Sequence, residues 1–450
     1  MTTKTDFDLV LKSGKVMLPN GETITDIGIK DEKICHIGDL SNSQLSCSEE
    51  NIIDCKNFHV LPGVIDSQVH FREPGLENKE NLEFGMMAAA AGGVTAIFEM
   101  PNTNPLTITP EAIDDKIKRA YRVPWTDFAF YLGGTGRTGP NLKEWENHCG
   151  VCGIKIFMGA STGDLITATN EEVESVVANG SRVIAVHAED QMIMNENMKT
   201  ILGDSDDVSM HCKWRSPESC LSATKRVVAI AEKYSRRVHI LHITTAEEME
   251  FLNTKKHIAS VELLTNHLTL FAPDCYENLG TLAQQNPPIR EKHHHDALWK
   301  ALNEGIVDIV ASDHAPHTLD EKAQSYPNSP SGTPGVQTLV PIMLNHVNSG
   351  KLTLEKLVDL WSYGPERIHR IYNKGRISLG YDADFTIVDM NKEMTITNSQ
   401  QKSRTGWTPY DGMKVKGWPL YTIIRGNIVM REDELLEPIG KEIQFKETLL

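Results

Sequence analysis

The chain has 450 residues and a formal net charge of −16 at neutral pH. It is therefore long enough for one large and one small domain, and its charge argues against non-specific binding to nucleic acids or anionic membranes. Its composition is that of a globular protein, and no apolar run reaches the roughly 20 residues of a membrane-spanning helix.

The N-terminus and the cysteines point to a cytoplasmic protein. Residues 1–8 are polar and lack a signal-peptide core. The eight cysteines are scattered, which makes a disulfide framework improbable and fits a reducing compartment. Cys149 and Cys152 form one CxxC pair without a second, so we interpret them as buried or incidental thiols rather than as a metal or redox site.

The two ends of the chain share a β-rich pattern. Residues 1–58 alternate apolar and polar side chains between turn breaks, and residues 375–450 do the same. This pattern predicts short antiparallel strands. We predict that the two ends pair into one small β-sandwich domain, made of residues 1–58 and 375–450, with residues 59–374 inserted as a second domain.

The central segment alternates apolar strand signals with helical signals. Helix starts are clear at Ser216-Pro217, Pro110-Glu111 and Thr245. Eight alternating units over roughly 250 residues predict an α/β fold, a closed (β/α)8 TIM barrel of parallel strands. The predicted strands are Val64–His70, Val94–Met100, Asp127–Leu132, Gly153–Met158, Arg182–His187, Arg237–Ile243, Ala259–Leu264 and Ile306–Ser312.

Polar side chains follow or end five of these strands. They are His70, Lys155, His187, His242 and Asp313. The carboxyl ends of barrel strands converge on the face that holds the active site. A single buried histidine is usually structural, but five such groups at separate strand ends are hard to explain by packing. Imidazole and carboxylate ligands suit Zn²⁺.

The first strand end also carries Arg72, two residues after His70. Residues two apart share one face of a strand, so a metal ligand and a cation for an anionic substrate would lie side by side. A hydrogen-bonded histidine beside a solvated arginine is the alternative interpretation.

Nine short motifs surround these positions. They are Pro62-Gly63, His70-Phe71-Arg72-Glu73-Pro74-Gly75, Gly92-Gly93-Val94-Thr95, Met100-Pro101-Asn102-Thr103, Lys155-Ile156-Phe157-Met158-Gly159, Val186-His187-Ala188-Glu189, Leu241-His242-Ile243-Thr244, Asn286-Pro287-Pro288-Ile289-Arg290 and Ser312-Asp313-His314-Ala315-Pro316-His317. The set resembles the amidohydrolase superfamily, and within it the dihydroorotases of the hydantoinase-like type. The resemblance covers almost the whole chain.

The resemblance implies a metal site for one or two zinc ions. His70, Lys155, His187, His242 and Asp313 would be the ligands, and Lys155 would bridge two ions as a carbamate. An unmodified lysine is a poor ligand because its ammonium offers only donors. A bound metal lowers the pKa of water to about 7, and Asp313 would take the proton of that water and pass it to the leaving nitrogen.

The resemblance also implies a carboxylate-bearing small-molecule substrate. Arg72 and Asn102 would bind the carboxylate, and Asn286 and His317 would contact the ring or the carboxylate. A guanidinium matches a carboxylate in bidentate geometry. The implied reaction is the reversible hydrolysis of (S)-dihydroorotate to N-carbamoyl-L-aspartate in pyrimidine biosynthesis, by a homodimer. A hydantoinase or allantoinase type of cyclic amidohydrolase is the alternative.

Gln68 departs from the family pattern, in which the first strand ends in His-x-His. An amide oxygen is a weaker ligand for Zn²⁺ than imidazole. Two metals with Gln68 as a weak ligand, one metal held by Lys155, His187 and His242, and a non-catalytic scaffold all remain open. A second departure is Thr265-Asn266-His267, where relatives more often have Pro-His-His.

The sequence also predicts the structure of four further segments. Residues 318–333 are polar and form either a mobile lid or a disordered loop, with Glu321 and Lys322 as solvated charges. His293 to His295 form a solvated helix start. Gly159 to Gly163 form an active-site loop or a turn. His267 either lies near the site or packs.

Overall fold

The fold is seen in a computed structural model that describes residues 5–40, 45–160 and 165–449. Residues 161–163 of the predicted Gly159 to Gly163 loop lie outside the described residues, as do residues 1–4 of the predicted polar N-terminus. Over the described ranges, no helix combines the length and the apolar character needed to cross a membrane.

Eight parallel strands form the central sheet, each hydrogen-bonded to its neighbour in chain order. The ring closes where Val69 forms a parallel bridge with His314, and the amide of His70 donates to the carbonyl of His314 at 2.7 Å. The predicted eight-stranded barrel is confirmed. Its strands are β1 (Val64–Val69), β2 (Val94–Glu99), β3 (Asp127–Gly133), β4 (Val151–Phe157), β5 (Ile184–His187), β6 (Val238–Ile240), β7 (Ala259–Leu264) and β8 (Ile309–Ala311).

The barrel strands form because both of their faces are covered. Every residue of β1 to β8 is buried, as expected for parallel strands with helices on the outside. The predicted helix starts are confirmed: Ser216, Thr109 and Thr245 are N-caps whose side chains accept from backbone amides.

Fifteen α-helices occur in the described part of the chain. They are Leu82–Ala91, Pro110–Ala120, Leu142–Trp145, Asn170–Val177, Gln191–Asn197, His211–Trp214, Pro217–Tyr234, Ala246–Asn253, Thr265–Thr269, Asp274–Leu279, Lys292–Asn303, Leu319–Lys322, Leu339–Asn348, Leu354–Val358 and Gly364–His369.

Both chain ends contribute to one nine-stranded, mostly antiparallel sheet. The ends meet where His59–Pro62 pairs antiparallel with Phe385–Thr395, which confirms that the two ends build a common unit. The predicted boundary between residues 58 and 59 stays a prediction, because His59–Pro62 is hydrogen-bonded to this sheet. The strands are Leu9–Leu18, Gly21–Lys30, Lys33–Gly38, Ile52–Asp54, His59–Pro62, Phe385–Thr395, Lys414–Ile424, Asn427–Arg431 and Glu434–Leu435.

A buried ion cluster joins this sheet to the amino end of the barrel. Asp127, the first residue of β3, accepts hydrogen bonds from Arg425 and pairs with Lys374. Lys374 also donates to Asp384 at 2.6 Å. All four side chains are buried, so the charges depend on one another rather than on water.

We predict that Asp127→Asn lowers the free energy of unfolding by about 3 kcal/mol, because breaking a buried ion pair leaves cations uncompensated. Urea unfolding followed by circular dichroism measures the change. Asp359→Asn is the matched control, since Asp359 pairs with a half-exposed Arg367, and exposed pairs contribute at most about 1 kcal/mol. Equal losses in the two variants would contradict the cluster's role.

Candidate active site

The predicted metal ligands lie at the carboxyl end of the barrel. Gln68 is in β1 and Lys155 is in β4, while His187 ends β5. His242 and Asp313 each follow their strand, β6 and β8, by two residues. All of these side chains are buried except that of Asp313, which is 11% exposed.

Lys155 lies close to the other four strand-end groups. Burial lowers the pKa of its amine to about 7, although Asp313 and Glu262 oppose the shift. Burial lowers the pKa values of His70, His187 and His242, and the positive charge of Lys155 lowers them further. Strand register agrees with this grouping: Lys155 is two residues before Phe157, which is paired with His187 on β5, so the amine lies at the same end of the barrel as the histidines.

The amine of Lys155 is unusual in having no hydrogen-bond partner within the described residues. It is fully buried and lies 4.4 Å from the centre of the Phe157 ring. A buried ammonium with three unused donors is unfavourable, so the neutral amine is well populated near neutral pH.

His70 lies between two oxygens. Its Nδ1 is 2.8 Å from Asn102 Oδ1, and its Nε2 is 3.1 Å from Asp313 Oδ1. Burial lowers the pKa of His70, and a neutral imidazole can donate only once. With the proton on Nδ1 for Asn102, the Nε2 lone pair faces a carboxylate oxygen, so the arrangement favours a cation bound by both atoms.

His187 and His242 provide a second pair of atoms that could bind a metal. His187 Nε2 donates to Glu189 Oε2 at 2.7 Å, which leaves the Nδ1 lone pair 3.0 Å from His242 Nε2. Burial lowers the pKa of both histidines, so both rings are neutral near neutral pH.

Glu189 fixes the orientation of His187 and is itself held by Arg215. Arg215 Nε donates to Glu189 Oε1 at 3.0 Å, and Nη2 donates to Oε2. Burial alone would raise the pKa of Glu189, but Arg215 and His187 outweigh it and hold the pKa below its usual range. A carboxylate behind a ligating histidine is typical of metal sites.

Our sequence reasoning gave no role to Glu189 or Arg215. The available signal was the spacing of Glu189, two residues beyond His187. Arg215 is 26 residues from Glu189 along the chain, and no local pattern connects them.

The donor set fits a small cation. Within the predicted ligand set, four buried atoms lack hydrogen-bond partners among the described residues: Gln68 Oε1, Lys155 Nζ, His242 Nδ1 and Asp313 Oδ1. The separations of 3.0 and 3.1 Å in the two donor pairs are close to those of atoms bound to one ion, since Zn–N and Zn–O bonds are about 2.0–2.2 Å.

Histidine and carboxylate groups alone do not complete such a site. No trio of His, Cys, Asp or Glu in the described ranges is arranged to hold a metal. The pairs His70–Asp313 and His187–His242 supply two donors each, and Lys155 lies near both. A metal at this position would therefore depend on Lys155 as a ligand.

Arg72 supplies a buried cation beside these donors. Its Nε donates to the carbonyl of Pro316 at 3.3 Å, and its Nη2 lies 3.3 Å from His317 Nε2. Burial lowers the pKa of Arg72 to about 10, so it stays charged at neutral pH. In the described part of the chain no carboxylate lies within ion-pair distance of it, and a buried cation of this kind favours an anionic ligand.

Three site residues adopt left-handed backbone conformations. The φ angles are +65° for Arg72, +39° for His242 and +48° for Asp313. Such conformations are unfavourable for residues other than glycine and concentrate at functional sites. Each of these residues follows a barrel strand and turns its side chain away from the strand's regular path.

The remaining predicted residues lie around the site. Asn286 Oδ1 accepts from His211 Nε2 at 2.9 Å, whereas Asn102 and His317 contact His70 and Arg72 directly. His267 is buried, and its Nε2 is 2.6 Å from Gln285 Nε2 and 3.2 Å from the carbonyl oxygen of Pro287, the residues on either side of Asn286.

Two predictions about charged segments are wrong. Lys322 is buried and donates to three carbonyls, at 2.9 to 3.1 Å, and Glu321 pairs with Lys79 at 2.9 Å. Residues 318–333 therefore pack on the barrel, and the disordered-loop alternative is excluded. The helix start predicted at His293 to His295 is confirmed, and His293 is exposed. His294 and His295 are not solvated: they are buried, His294 accepts from Ala246 N, and His295 donates to Leu268 O.

Comparisons with known proteins agree on one family. The amidohydrolase family model matches residues 59–429. The dihydroorotase of Methanosarcina mazei is 34% identical over 450 residues, 96% of this chain and 96% of that protein. The dihydroorotase of Pyrococcus furiosus is 34% identical over 97% of this chain and 96% of that protein. The structure of L-hydantoinase (dihydropyrimidinase) from Arthrobacter aurescens matches with a TM-score of 0.91 and 29% identity, over 97% of this chain and 100% of that one.

We predict that Arg215→Met lowers the free energy of unfolding by about 3 kcal/mol, because it leaves the Glu189 carboxylate buried and unpaired. Adding Glu189→Gln should restore part of the loss, because it removes the unpaired charge. Urea unfolding measures all variants, with Arg137→Met as an exposed control. A double variant no more stable than Arg215→Met would contradict the charge-pair explanation.

Proposed function

Because this chain belongs to the amidohydrolase family and matches dihydroorotases over nearly its full length, we propose that it is a dihydroorotase. It is a cyclic amide hydrolase, and the proposed reaction is the reversible hydrolysis of (S)-dihydroorotate to N-carbamoyl-L-aspartate in pyrimidine biosynthesis. The observation that carries this choice of substrate is Arg72, a buried guanidinium with no carboxylate partner among the described residues, next to atoms that could bind a metal.

His70, Lys155, His187, His242 and Asp313 would hold the metal, with Gln68 as a weak ligand. When bound, a divalent ion would polarise the amide carbonyl and lower the pKa of water to about 7. Lys155 supports this role because its amine is buried and readily neutral. Only a neutral amine takes up carbon dioxide, and the carbamate would supply two anionic oxygens.

Asp313 would move the proton. Its side chain is partly exposed at the barrel rim, so the oxygen that does not face His70 would accept a proton from water as the water oxygen bonds to the amide carbon. The ring C–N bond then breaks, and Asp313 passes the proton to the leaving nitrogen. The reverse sequence closes the ring.

Arg72 would hold the substrate carboxylate and so orient the ring. His317 Nε2 is 3.3 Å from Arg72 Nη2, and Asn102 Oδ1 is 2.8 Å from His70 Nδ1, so both would assist Arg72. Asn286, beside His211, would contact the far side of the ring. A substrate bound in this way would present its scissile amide to Asp313.

A hydantoinase activity is the second candidate, favoured by the structural similarity to L-hydantoinase. The two candidates share the ring-opening chemistry and differ in what the protein binds beside the amide. A hydantoin ring has no free carboxylate, so it would leave the charge of Arg72 unpaired.

Zinc, a dimer and the cytoplasm are further parts of the proposal. The nitrogen-rich donor set supports zinc. All eight cysteines are free thiols, which supports a reducing compartment. Met192, Met198 and Ile201 are exposed on consecutive helical segments, which supports an interface with a second copy. Sedimentation of the purified protein would measure the oligomeric state.

We predict that Arg72→Met lowers kcat/KM for dihydroorotate roughly 30-fold or more, because losing one partner of a buried charge pair costs about 2–5 kcal/mol. Turnover of dihydrouracil or hydantoin, which lack the carboxylate, should change little. Steady-state assays on both ring types measure this, with Arg137→Met as control. An equal loss on both ring types would contradict carboxylate binding by Arg72.

We predict that Gln68→His increases the metal retained per chain, because imidazole is the stronger ligand. Elemental analysis after dialysis against graded chelator concentrations measures it, without reference to activity. Gln68→Ala is the matched control and should retain no more metal than the unmodified protein. Identical retention by the three proteins would place Gln68 outside the metal site.

A further inference from the structure

His317 lies between two cations near the proposed carboxylate position. Lys79 Nζ is 3.1 Å from His317 Nδ1, and Arg72 Nη2 is 3.3 Å from His317 Nε2. Nε2 is also 3.0 Å from the carbonyl oxygen of Ser331. Lys79 is in the loop between β1 and the helix Leu82–Ala91, so it reaches His317 from a different part of the barrel rim.

These contacts define where His317 carries its proton. An ammonium group can only donate, so Lys79 requires a lone pair on Nδ1. The proton is then on Nε2 and is donated to Ser331 O. Burial lowers the pKa of His317 to about 3, so the ring carries one proton rather than two. Glu321 Oε2 is 3.8 Å from Nδ1, too far to reverse this assignment.

This tautomer keeps Arg72 available for an anion. Arg72 Nη2 and His317 Nε2 are then both donors, and two donors 3.3 Å apart cannot bond to each other. An acceptor with two oxygens, such as a carboxylate, can take both hydrogens. In the other tautomer Nε2 would accept from Arg72, and the pair would satisfy itself.

Lys79 is held in place by Glu321. Lys79 Nζ donates to Glu321 Oε1 at 2.9 Å, and Glu321 Oε2 accepts from the amide of Thr318 at 3.0 Å. The side chain of Lys79 is 16% exposed. The pair therefore lies at the edge of the site, behind His317 as seen from Arg72.

We propose that Lys79 is a positioning residue for carboxylate recognition: by donating to His317 Nδ1 it keeps the proton on Nε2 and prevents Arg72 from bonding to the ring. This inference rests on the proposed function for its substrate. The tautomer itself depends only on the contacts of Lys79, His317 and Ser331.

The first test is the ¹⁵N spectrum of histidine-labelled protein, with His317 assigned by the variant His317→Gln. We expect an unprotonated Nδ1 and a protonated Nε2 in the unmodified chain, and an Nδ1-protonated or mixed population in Lys79→Met. An Nδ1–H tautomer in the unmodified chain overturns the proposal. This readout needs no turnover, so it decides the proposal even if dihydroorotate is not hydrolysed, a result that would overturn the proposed function alone.

The second test is kinetic. Lys79→Met should raise KM for dihydroorotate about tenfold and change kcat less than threefold, while Lys79→Arg, which also donates, should stay near the unmodified value. Glu321→Gln, which frees Lys79, should give an intermediate KM. The exposed Lys143 supplies the control Lys143→Met, which removes the same charge elsewhere. An unchanged KM in Lys79→Met, or a loss confined to kcat, overturns the proposal.

Discussion

The site depends on an amine that the barrel encloses without giving it a partner. Lys155 is in β4, fully buried, and no described residue accepts a hydrogen bond from it. Burial shifts its pKa to about 7, so the neutral form, which can react with carbon dioxide, is common at physiological pH. In the proposed function this amine would take up carbon dioxide and, as a carbamate, supply the ligand oxygens that the His70–Asp313 and His187–His242 pairs lack.

Two positions around this amine lack opposite kinds of partner: one lacks a cation and the other lacks an anion. The centre has lone pairs that face one another without a hydrogen between them, His70 Nε2 with Asp313 Oδ1 and His187 Nδ1 with His242 Nε2. The neighbouring position has a buried guanidinium, Arg72, without a carboxylate in the described ranges. A cation at the centre and an anion beside it would satisfy both. A cyclic amide with a free carboxylate, bound next to a metal, provides this combination, whereas a purely structural site would have paired the charges internally.

The barrel and most of its rim could be predicted from sequence because the relevant signals are local. Buried apolar runs predicted β1 to β8, and barrel topology then implied that the polar residues of five of these strands meet at one rim. Burial of charge was not predictable in this way. Lys322 is enclosed by the carbonyls of Gln284, Pro330 and Gly332, and a polar segment gives no sign of such acceptors. The support of Glu189 by Arg215 likewise depends on tertiary contact.

Gln68 gives the strongest physical argument that the site is used. Its amide oxygen is buried in β1 without a partner in the described part of the chain, and an unsatisfied buried polar group costs about 1–3 kcal/mol. An apolar side chain of similar size would avoid this cost in a scaffold that binds nothing. An amide at this position is favourable only when something donates to it or coordinates it. The residue that weakens the expected metal site thus still indicates a ligand there, and it does so on the strand that leads directly to His70 and Arg72.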